Sequence, residues 1–296
     1  MTGPKRSWLF APGMDARKTE KALASAADAL ILDLEDAVAI SEKPRARTML
    51  RELLGTGSPD RQIYVRVNDI CTGWTAEDIE AVCAPGLAGL ILPKVEAAET
   101  VRTVSALIDR SERTAGLPHG QVRLNAIVET ARGVQNLASI AEAGGRLDLL
   151  MFGAADYTAD LGIPTANTGP HLLHAKVATV VASRAAGLSA PIDTVFFDIT
   201  DEAGFATDCA EARALGFRGK AVIHPRQIEP ANRAFTPSAA DVETARRVVD
   251  GFEEAERNGI GAVQIDGKLV DYAMLKTARK TLETARAISE PARRTP

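Results

Sequence analysis

The chain has 296 residues, with 35 basic and 39 acidic side chains, a formal net charge of −4 and 46% hydrophobic residues. The weak negative charge argues against binding to nucleic acid or to an anionic membrane, and no apolar run approaches the ~20 residues that cross a bilayer. The length fits about two domains or a single α/β barrel, and the composition is that of a globular protein with a large core.

Short apolar runs recur along the chain, and we predict that each one is a β-strand. They are apolar throughout rather than alternating, which is typical of strands covered on both faces of a parallel sheet. The predicted strands are residues 7–12, 29–34, 63–68, 88–92, 123–129, 147–153, 194–198 and 220–224.

Segments with helical periodicity separate these strands. Pro44 suits the first turn of a helix, and Thr75 and Asp201 are predicted N-caps. Eight strands, each followed by a helical stretch, predict an α/β fold of the (β/α)₈ TIM-barrel type. A doubly wound sheet is the alternative, but no G-x-G-x-x-G motif follows the first strand. The clearest predicted helices are residues 16–27, 77–84, 97–115, 133–143, 172–186 and 202–215.

The last part of the chain exceeds what a barrel needs. We predict a barrel domain over residues 1–236 and an extension over residues 237–296. The extension is predicted to contain a long helix (239–258), a short β-like pair (262–265 and 268–270) and a final helix (272–285). We expect this C-terminal helical extension to contact a neighbouring subunit.

Polar side chains follow nearly every predicted strand. Barrel enzymes carry their chemistry at the C-terminal ends of the strands, and an unpaired buried charge is costly. We therefore expect these side chains to meet in one polar mouth with an excess of carboxylate. In chain order they are Asp33, Glu35, Asp36, Arg66, Asn68, Lys94, Glu96, Glu129, Asp156, Asp198 and His224.

A mouth rich in carboxylates needs a cation. The ligands available are oxygens without a cluster of Cys or His, which favours Mg²⁺ or Mn²⁺ over zinc. Mg²⁺ is usually held by one or two carboxylates, with water and substrate oxygens completing the octahedron. Glu129 and Asp156 follow neighbouring strands and fit this requirement best. The alternative is that each carboxylate caps the helix that follows it.

Arg66 lies inside an otherwise apolar predicted strand. It is either a buried ion-pair partner of Glu35 or Asp36, or a fork that binds a substrate carboxylate, and both roles are compatible. The small residues Gly153, Ala154 and Ala155 precede a helical segment, where free backbone N–H groups favour an anion.

Other candidates favour structural roles. Lys94 is either a Schiff-base lysine or an ion-paired lysine, and the nearby carboxylates favour the second. His224, just before a proline, is more typical of a structural histidine than of a base. Cys71, Cys83 and Cys209 lie far apart and are predicted to be buried free thiols. With no apolar signal-peptide region near the start, they indicate a cytoplasmic protein.

Several motifs, in this order along the chain, resemble those of one known family. They include ADALILDLEDA at 27–37, VRVN at 65–68, LPKVE at 92–96, IVET at 127–130 and GAADY at 153–157. GKAVIHP at 219–225 and IDGKLVD at 265–271 follow. The chain thus resembles the citrate lyase β-subunit-like proteins of the HpcH/HpaI aldolase/citrate lyase family.

The resemblance implies a Mg²⁺-dependent TIM barrel that cleaves or forms a carbon–carbon bond between a 2-oxo acid and an acyl thioester. It implies Glu129 and Asp156 as metal ligands and Arg66, supported by Glu35 and Asp36, as the carboxylate binder. The amides of Gly153, Ala154 and Ala155 would hold the oxo-acid carboxylate. It also implies that Asp271 reaches a neighbouring subunit's active site in a homo-oligomer, a trimer or a hexamer.

The expected substrates are malyl-, citramalyl- or citryl-CoA, which yield a 2-oxo acid and an acyl thioester. Three alternatives stay open at this point. The chain is a subunit that depends on an acyl-carrier protein within a complex, a thioesterase, or a class II aldolase for hydroxy-oxo acids without a thioester.

Overall fold

The computed structural model describes residues 3–57, 61–165 and 169–289. The chain forms two compact units: a barrel unit, Lys5–Asn232, and a C-terminal unit comprising Met1–Pro4 and Arg233–Pro296. The expected boundary after residue 236, the catalytic role of the barrel and the contact of the extension with a neighbouring subunit stay predictions. None of the helices in the described ranges is both long and apolar enough to span a membrane.

Eight parallel strands form the barrel unit's sheet and close in chain order, with the eighth pairing to the first. This closure confirms the (β/α)₈ TIM barrel and excludes the doubly wound alternative. The strands are β1 (Ser7–Pro12), β2 (Ala29–Asp33), β3 (Ile63–Arg66), β4 (Leu87–Leu92), β5 (Arg123–Val128), β6 (Leu147–Phe152), β7 (Ile192–Asp193) and β8 (Gly219–Val222).

Helices connect the strands and begin where the sequence supplies suitable residues. Asp201 accepts a hydrogen bond from the backbone N of Gly204 at 2.8 Å, which confirms it as an N-cap, and Pro44 lies in the first turn of its helix. The helices are α1 (Ala16–Leu23), α2 (Lys43–Gly55), α3 (Thr75–Val82), α4 (Ala98–Ala115), α5 (Ala131–Gln135), α6 (Leu137–Ala141), α7 (Ala154–Asp160), α8 (Pro170–Ala185), α9 (Glu202–Leu215) and α10 (Ile228–Ala234).

Alternation along the strands decides which side chains enter the barrel. Successive residues of a strand point to opposite faces. Ile31, Tyr64 and Ile127 belong to the apolar cluster that also holds Trp8 and Met151. The residues two positions further along these three strands are Asp33, Arg66 and Glu129, so the polar mouth continues the same face as the apolar interior.

A group of four buried charged side chains lies where β7 and β8 meet α8 and α9. Lys220 Nζ is 2.7 Å from Asp193 Oδ2 and 2.5 Å from Asp208 Oδ2. Lys176 Nζ is 3.1 Å from Asp193 Oδ2 and 3.3 Å from Asp208 Oδ1. We call these four residues the buried quartet; its two lysines balance its two aspartates.

The seventh strand is the main error of the sequence prediction. The apolar run at 194–198 was expected to form it, but the strand is Ile192–Asp193. The strand includes Asp193, a buried acid whose charge is balanced by Lys176 and Lys220, and local hydrophobicity does not reveal such distant partners. Asp198 consequently lies in the following loop.

Three smaller predictions are also wrong. Trp74, not Thr75, precedes α3, and the Thr75 hydroxyl instead donates to the backbone O of Asn68 at 3.0 Å. The helix expected at 133–143 is two short helices, α5 and α6, which meet at Asn136. Cys83 and Cys209 are buried, as expected, but Cys71 is exposed.

The C-terminal unit has the predicted order of helix, strand pair and helix. Its elements are α11 (Ala239–Arg257), β9 (Val263–Ile265), β10 (Lys268–Val270) and α12 (Tyr272–Ser289), with β9 and β10 antiparallel. Phe252, Val270 and Leu275 are buried together at its centre. Ser238 caps α11 through a reciprocal pair of hydrogen bonds with Asp241.

Candidate metal and substrate site

Glu129 is a deeply buried acid of the barrel mouth, with 3% of its surface exposed. Its Oε1 accepts a hydrogen bond from the backbone N of Lys94 at 2.9 Å. A Cβ atom at Gly153 would collide with its Oε2, so glycine at 153 opens the space that the carboxylate fills. Burial, and then the neighbouring carboxylates of Asp156 and Glu35, raise the pKa of Glu129 to about 8.

Lys94 lies between the carboxylates of the mouth. Its Nζ bonds to Glu35 Oε1 and lies 3.6 Å from Asp156 Oδ1. Burial alone would lower the pKa of Lys94, but the surrounding carboxylates raise it above its ordinary value. A Schiff-base lysine needs a neutral amine, so this environment favours the ion-paired interpretation.

The backbone of Lys94 is also unusual. Its φ of +51° lies in the left-handed region, which only one other non-glycine residue of the described chain, Asp266, shares. This conformation accompanies the hydrogen bond from the Lys94 amide to Glu129. One residue therefore holds Glu129 through its backbone and Glu35 through its side chain.

Arg66 uses its guanidinium for three carboxylates. Its Nε and Nη2 form a bidentate pair with Asp33, both at 2.7 Å. Its Nη1 is 2.9 Å from Glu35 Oε2 and 3.5 Å from the exposed Asp36. The predicted contacts with Glu35 and Asp36 are present. The bidentate partner of the guanidinium is Asp33, however, and the sequence analysis did not assign this pair.

Burial and charge act in opposite directions on Asp33 and Glu35. Burial would raise the pKa of Asp33, but Arg66 and two backbone N–H groups hold it below its ordinary value. Burial dominates at Glu35 and raises its pKa despite Arg66 and Lys94. Glu35 Oε2 is also buried without a hydrogen bond of good geometry.

The backbone amides predicted to bind an anion are only partly free. Gly153 N donates to Val128 O at 3.2 Å, and Ala154 N donates to Thr194 Oγ1 at 2.9 Å. Of the three predicted amides, that of Ala155 alone has no partner among the described residues. Of these three backbone N–H groups, that of Ala155 is therefore the one available to a substrate in this conformation, next to the carboxylate of Asp156.

Three other predicted polar residues lie in local structure. Asp198 is exposed and accepts hydrogen bonds from Thr200, which corrects its expected place at a strand end. His224 Nδ1 accepts from Arg226 N at 3.2 Å and caps a short turn, as the structural interpretation expected. Asp271 belongs to the C-terminal unit, where its Oδ1 accepts from Ala273 N and Met274 N at the start of α12.

The donor set of the mouth fits a divalent cation. Apart from the exposed Asp36, the four carboxylates Asp33, Glu35, Glu129 and Asp156 face two cations among the described residues, Arg66 and Lys94. Carboxylates therefore outnumber cations by two. Among the residues the structure describes, no three His, Cys, Asp or Glu side chains are grouped to hold a metal. A site of two carboxylates, Glu129 and Asp156, completed by water and substrate oxygens, matches how Mg²⁺ is usually bound.

The sequence analysis placed Asp33 in the mouth without pairing it with Arg66, and it missed Thr194. Asp33 could have been found as a partner of Arg66, because both lie on the inward face of adjacent strands and are in register. Thr194 had no signal in the sequence, since its contact with Ala154 joins residues 40 apart and depends on where β7 ends.

Comparison with known proteins gives a consistent result. A family model described as HpcH/HpaI aldolase/citrate lyase matches residues 6–225. The sequence is 41% identical over 290 residues to a (3S)-malyl-CoA thioesterase of Cereibacter sphaeroides, covering 97% of this chain and 96% of that protein. It is 38% identical over 285 residues to citrate lyase subunit beta of Escherichia coli K12, covering 96% and 94%.

Among solved structures, the fold is similar to protein CitE of Mycobacterium tuberculosis in complex with magnesium, acetoacetate and coenzyme A. The TM-score is 0.78 and the sequence identity 33%, over 96% of this chain and 98% of that one. The similarity therefore extends over both units of the chain.

Proposed function

This chain belongs to the HpcH/HpaI aldolase/citrate lyase family, and on that premise we propose that it is a Mg²⁺-dependent carbon–carbon lyase. The resemblance inferred from the sequence motifs is confirmed. The observation that carries the proposal is the excess of carboxylates at the mouth, where Glu129 lies near the guanidinium of Arg66 and Asp156 lies near the ammonium of Lys94. The substrate class is a β-hydroxyacyl-CoA such as malyl-, citramalyl- or citryl-CoA, cleaved to a 2-oxo acid and an acyl thioester.

Relatives support both parts of this assignment. The magnesium and coenzyme A of the Mycobacterium tuberculosis complex support the cofactor and the thioester class. Oxygen ligands make Mg²⁺ the expected ion, and Mn²⁺ fits the same ligands. Bound at Glu129 and Asp156, Mg²⁺ would supply a Lewis acid that lowers the pKa of the substrate hydroxyl.

The side chains of the mouth have separate tasks in this reaction. Arg66 neutralises and orients the substrate carboxylate. Asp33 holds its Nε and Nη2, and Glu35 and Asp36 lie beside its Nη1. Lys94 keeps a positive charge next to Glu35 and Asp156. A preorganised set of charges of this kind stabilises developing negative charge without rearrangement.

The bond changes follow from the products. The substrate hydroxyl loses its proton to a base, and the bond to the thioester α-carbon breaks. The hydroxyl carbon becomes the keto carbon of the 2-oxo acid, and the electron pair goes to the thioester enolate, which then takes up a proton. The reverse direction is a Claisen-type condensation.

A direct assay tests the proposal. Purified protein with Mg²⁺ is given malyl-, citramalyl- and citryl-CoA, and mass spectrometry follows the 2-oxo acid, the acyl thioester and free CoA. Release of a 2-oxo acid that EDTA abolishes and Mg²⁺ restores is the expected result. No 2-oxo acid from any thioester of the panel would contradict the lyase.

The same assay separates the alternatives. A relative named (3S)-malyl-CoA thioesterase favours hydrolysis as a second candidate, which would release free CoA. A relative named citrate lyase subunit beta favours dependence on an acyl-carrier protein, which would leave CoA thioesters uncleaved until a carrier is supplied. Release of pyruvate from hydroxy-oxo acids without CoA would indicate a class II aldolase. The homo-oligomer and the cytoplasmic location stay predictions.

A further inference from the structure

We propose that Thr194 is a positioning residue, whose hydroxyl fixes the start of α7 and thereby the carboxylate of Asp156 in the metal site. This inference rests on the proposed function, because it assigns Asp156 to a metal. It adds a residue from the end of the seventh strand, where Asp198 was expected but lies in the following loop instead.

The contact is direct and buried. Thr194 Oγ1 accepts a hydrogen bond from the backbone N of Ala154 at 2.9 Å, and both residues are almost completely buried. Ala154 is the first residue of α7, and Asp156 follows two positions later. Because α7 is only seven residues long, a shift at its first residue moves Asp156 directly.

The sheet alone gives this corner of the barrel little support. β7 has two residues, and its register with β6 joins Ile192 to Met151. That register ends at Ile192, because the next residue, Asp193, is paired with Lys220 of β8. The Thr194 hydroxyl, one residue after β7, adds a hydrogen bond to the first residue of α7, the helix that carries Asp156.

The buried quartet fixes Thr194 itself. Asp193, its neighbour in sequence, is 2.7 Å from Lys220 Nζ and 3.1 Å from Lys176 Nζ. An acceptor held in this way does not need to be ordered when the metal binds, which is how supporting residues improve a metal site.

A purely structural role is the competing explanation, since any buried N–H needs an acceptor. The two roles differ in what they change. A structural hydrogen bond changes the free energy of unfolding, whereas a positioning contact also changes metal affinity in the folded protein.

Thr194→Val and Thr194→Ser provide the main test. Valine keeps the shape and removes the acceptor, and serine keeps the acceptor and removes the methyl group. Mn²⁺ is the probe, titrated into metal-free protein with the free ion measured by electron paramagnetic resonance. We expect Thr194→Val to weaken Mn²⁺ binding about tenfold, the lower end of the loss when groups supporting a metal ligand are removed. We expect Thr194→Ser to stay within about twofold of wild type.

Thr179→Val is the matched control. Thr179 is fully buried, and its hydroxyl donates to Ala175 O within its own helix. We expect it to bind Mn²⁺ like wild type. Thermal unfolding of every variant shows which ones are folded. If Thr194→Val does not fold, Thr194→Cys against Thr194→Ser carries the test, because sulfur is a weak acceptor and the two differ in one atom.

Normal Mn²⁺ binding by folded Thr194→Val would overturn the proposal. Equal weakening in Thr194→Ser and Thr194→Val would also overturn it, since the methyl group would then be responsible. The lyase assay stays separate: a wild type that releases no 2-oxo acid contradicts the proposed function, while the Mn²⁺ titrations still decide the role of Thr194.

Discussion

Two charged clusters of the barrel unit differ in how they are balanced. In the buried quartet, Lys176 and Lys220 face Asp193 and Asp208, so the charges cancel. In the barrel mouth, without the exposed Asp36, the carboxylates of Asp33, Glu35, Glu129 and Asp156 outnumber the two cations by two. The charges of the quartet balance one another within the fold. The excess carboxylates of the mouth would be balanced by a bound cation.

The pKa shifts express the same difference. Burial would raise the pKa of Asp193, but the two lysines hold it below its ordinary value. Burial raises the pKa of Glu129 too, and there its carboxylate neighbours add to the effect and raise it to about 8. A buried cluster whose charges balance is typical of a structural role. A cluster with excess charge in an open mouth is typical of a functional site.

Removing a proposed metal ligand tests the mouth most directly. We expect Glu129→Gln and Asp156→Asn each to lower Mg²⁺-dependent turnover by about a thousandfold or more, because the metal contributes several kcal/mol to the transition state. Circular dichroism should show that both variants stay folded. Near-normal activity of either variant at limiting Mg²⁺ would show that the ligand assignment is wrong.

Unbalancing the quartet is expected to act on stability instead. Lys220→Met leaves Asp193 and Asp208 with one lysine, and breaking a buried pair on one side costs about 3–5 kcal/mol of unfolding free energy. Urea unfolding measures this loss. The control, Lys280→Met, removes an exposed partner of Glu283 and should cost less than about 1 kcal/mol. A loss at Lys220 no larger than at Lys280 would remove the contrast between the clusters.

The fold was largely predictable from sequence because local patterns determine it. Continuous apolar runs located seven of the eight strands, and the polar residues at or near the ends of those runs indicated where Glu129 and Arg66 lie. The seventh strand was missed because it contains the buried acid Asp193. The partners that balance its charge, Lys176 and Lys220, are 17 and 27 residues away in the sequence. The Arg66–Asp33 pair and the Thr194 contact were missed for the same reason, since they join distant parts of the chain.

Arg66→Lys separates charge from geometry in the mouth. A lysine keeps the charge, but cannot bind both oxygens of Asp33 and also reach Glu35 and the substrate. A bidentate charge-assisted contact contributes about 1.5–3 kcal/mol, so we expect kcat/KM to fall about 10- to 150-fold. The control is Arg47→Lys, where Arg47 pairs with Glu77 and Asp78 and only stability should change. A loss below about threefold at Arg66 would make it a structural partner of Asp33 alone.

The opposite pKa shifts predict opposite dependences on pH. The lowered pKa of Asp193 stabilises the fold above the ordinary carboxyl pKa, and this contribution is lost as the pH falls. The raised pKa of Glu129 makes the metal-free protein lose stability as the pH rises from the ordinary value towards about 8. Glu129→Gln should remove that second slope.

The affinity for Mg²⁺ should also depend on the titration of the Glu129 carboxyl. Below pH 8, Mg²⁺ must displace the Glu129 proton, so its apparent affinity should fall by up to about tenfold per pH unit. Titration calorimetry at pH 6, 7, 8 and 9, in two buffers of different ionisation enthalpy, measures both affinity and released protons. An affinity independent of pH with no proton release would contradict the raised pKa.

Asp271 tests whether the charges of one mouth all come from one chain, and its effect on stability is the smallest we predict. Its hydrogen bonds with Ala273 N and Met274 N make it the N-cap of α12, worth about 1 kcal/mol. Family resemblance predicts that it also acts at a neighbouring subunit's site. Ser238→Ala removes the cap of α11 and is the matched control, since it should lose similar stability and keep full activity.

The hypothesis of a shared site requires more than a loss of activity in Asp271→Ala. Co-refolding Asp271→Ala, which has an intact metal site, with Glu129→Gln, which has an intact Asp271, forms mixed oligomers. If Asp271 acts in trans, some sites in these oligomers receive both groups, and a definite fraction of wild-type activity returns. Full activity of Asp271→Ala alone would reduce the residue to a helix cap. If Asp271→Ala is inactive and verified mixed oligomers recover no activity, Asp271 acts within its own chain. Each subunit would then lack one group that no neighbouring subunit can supply.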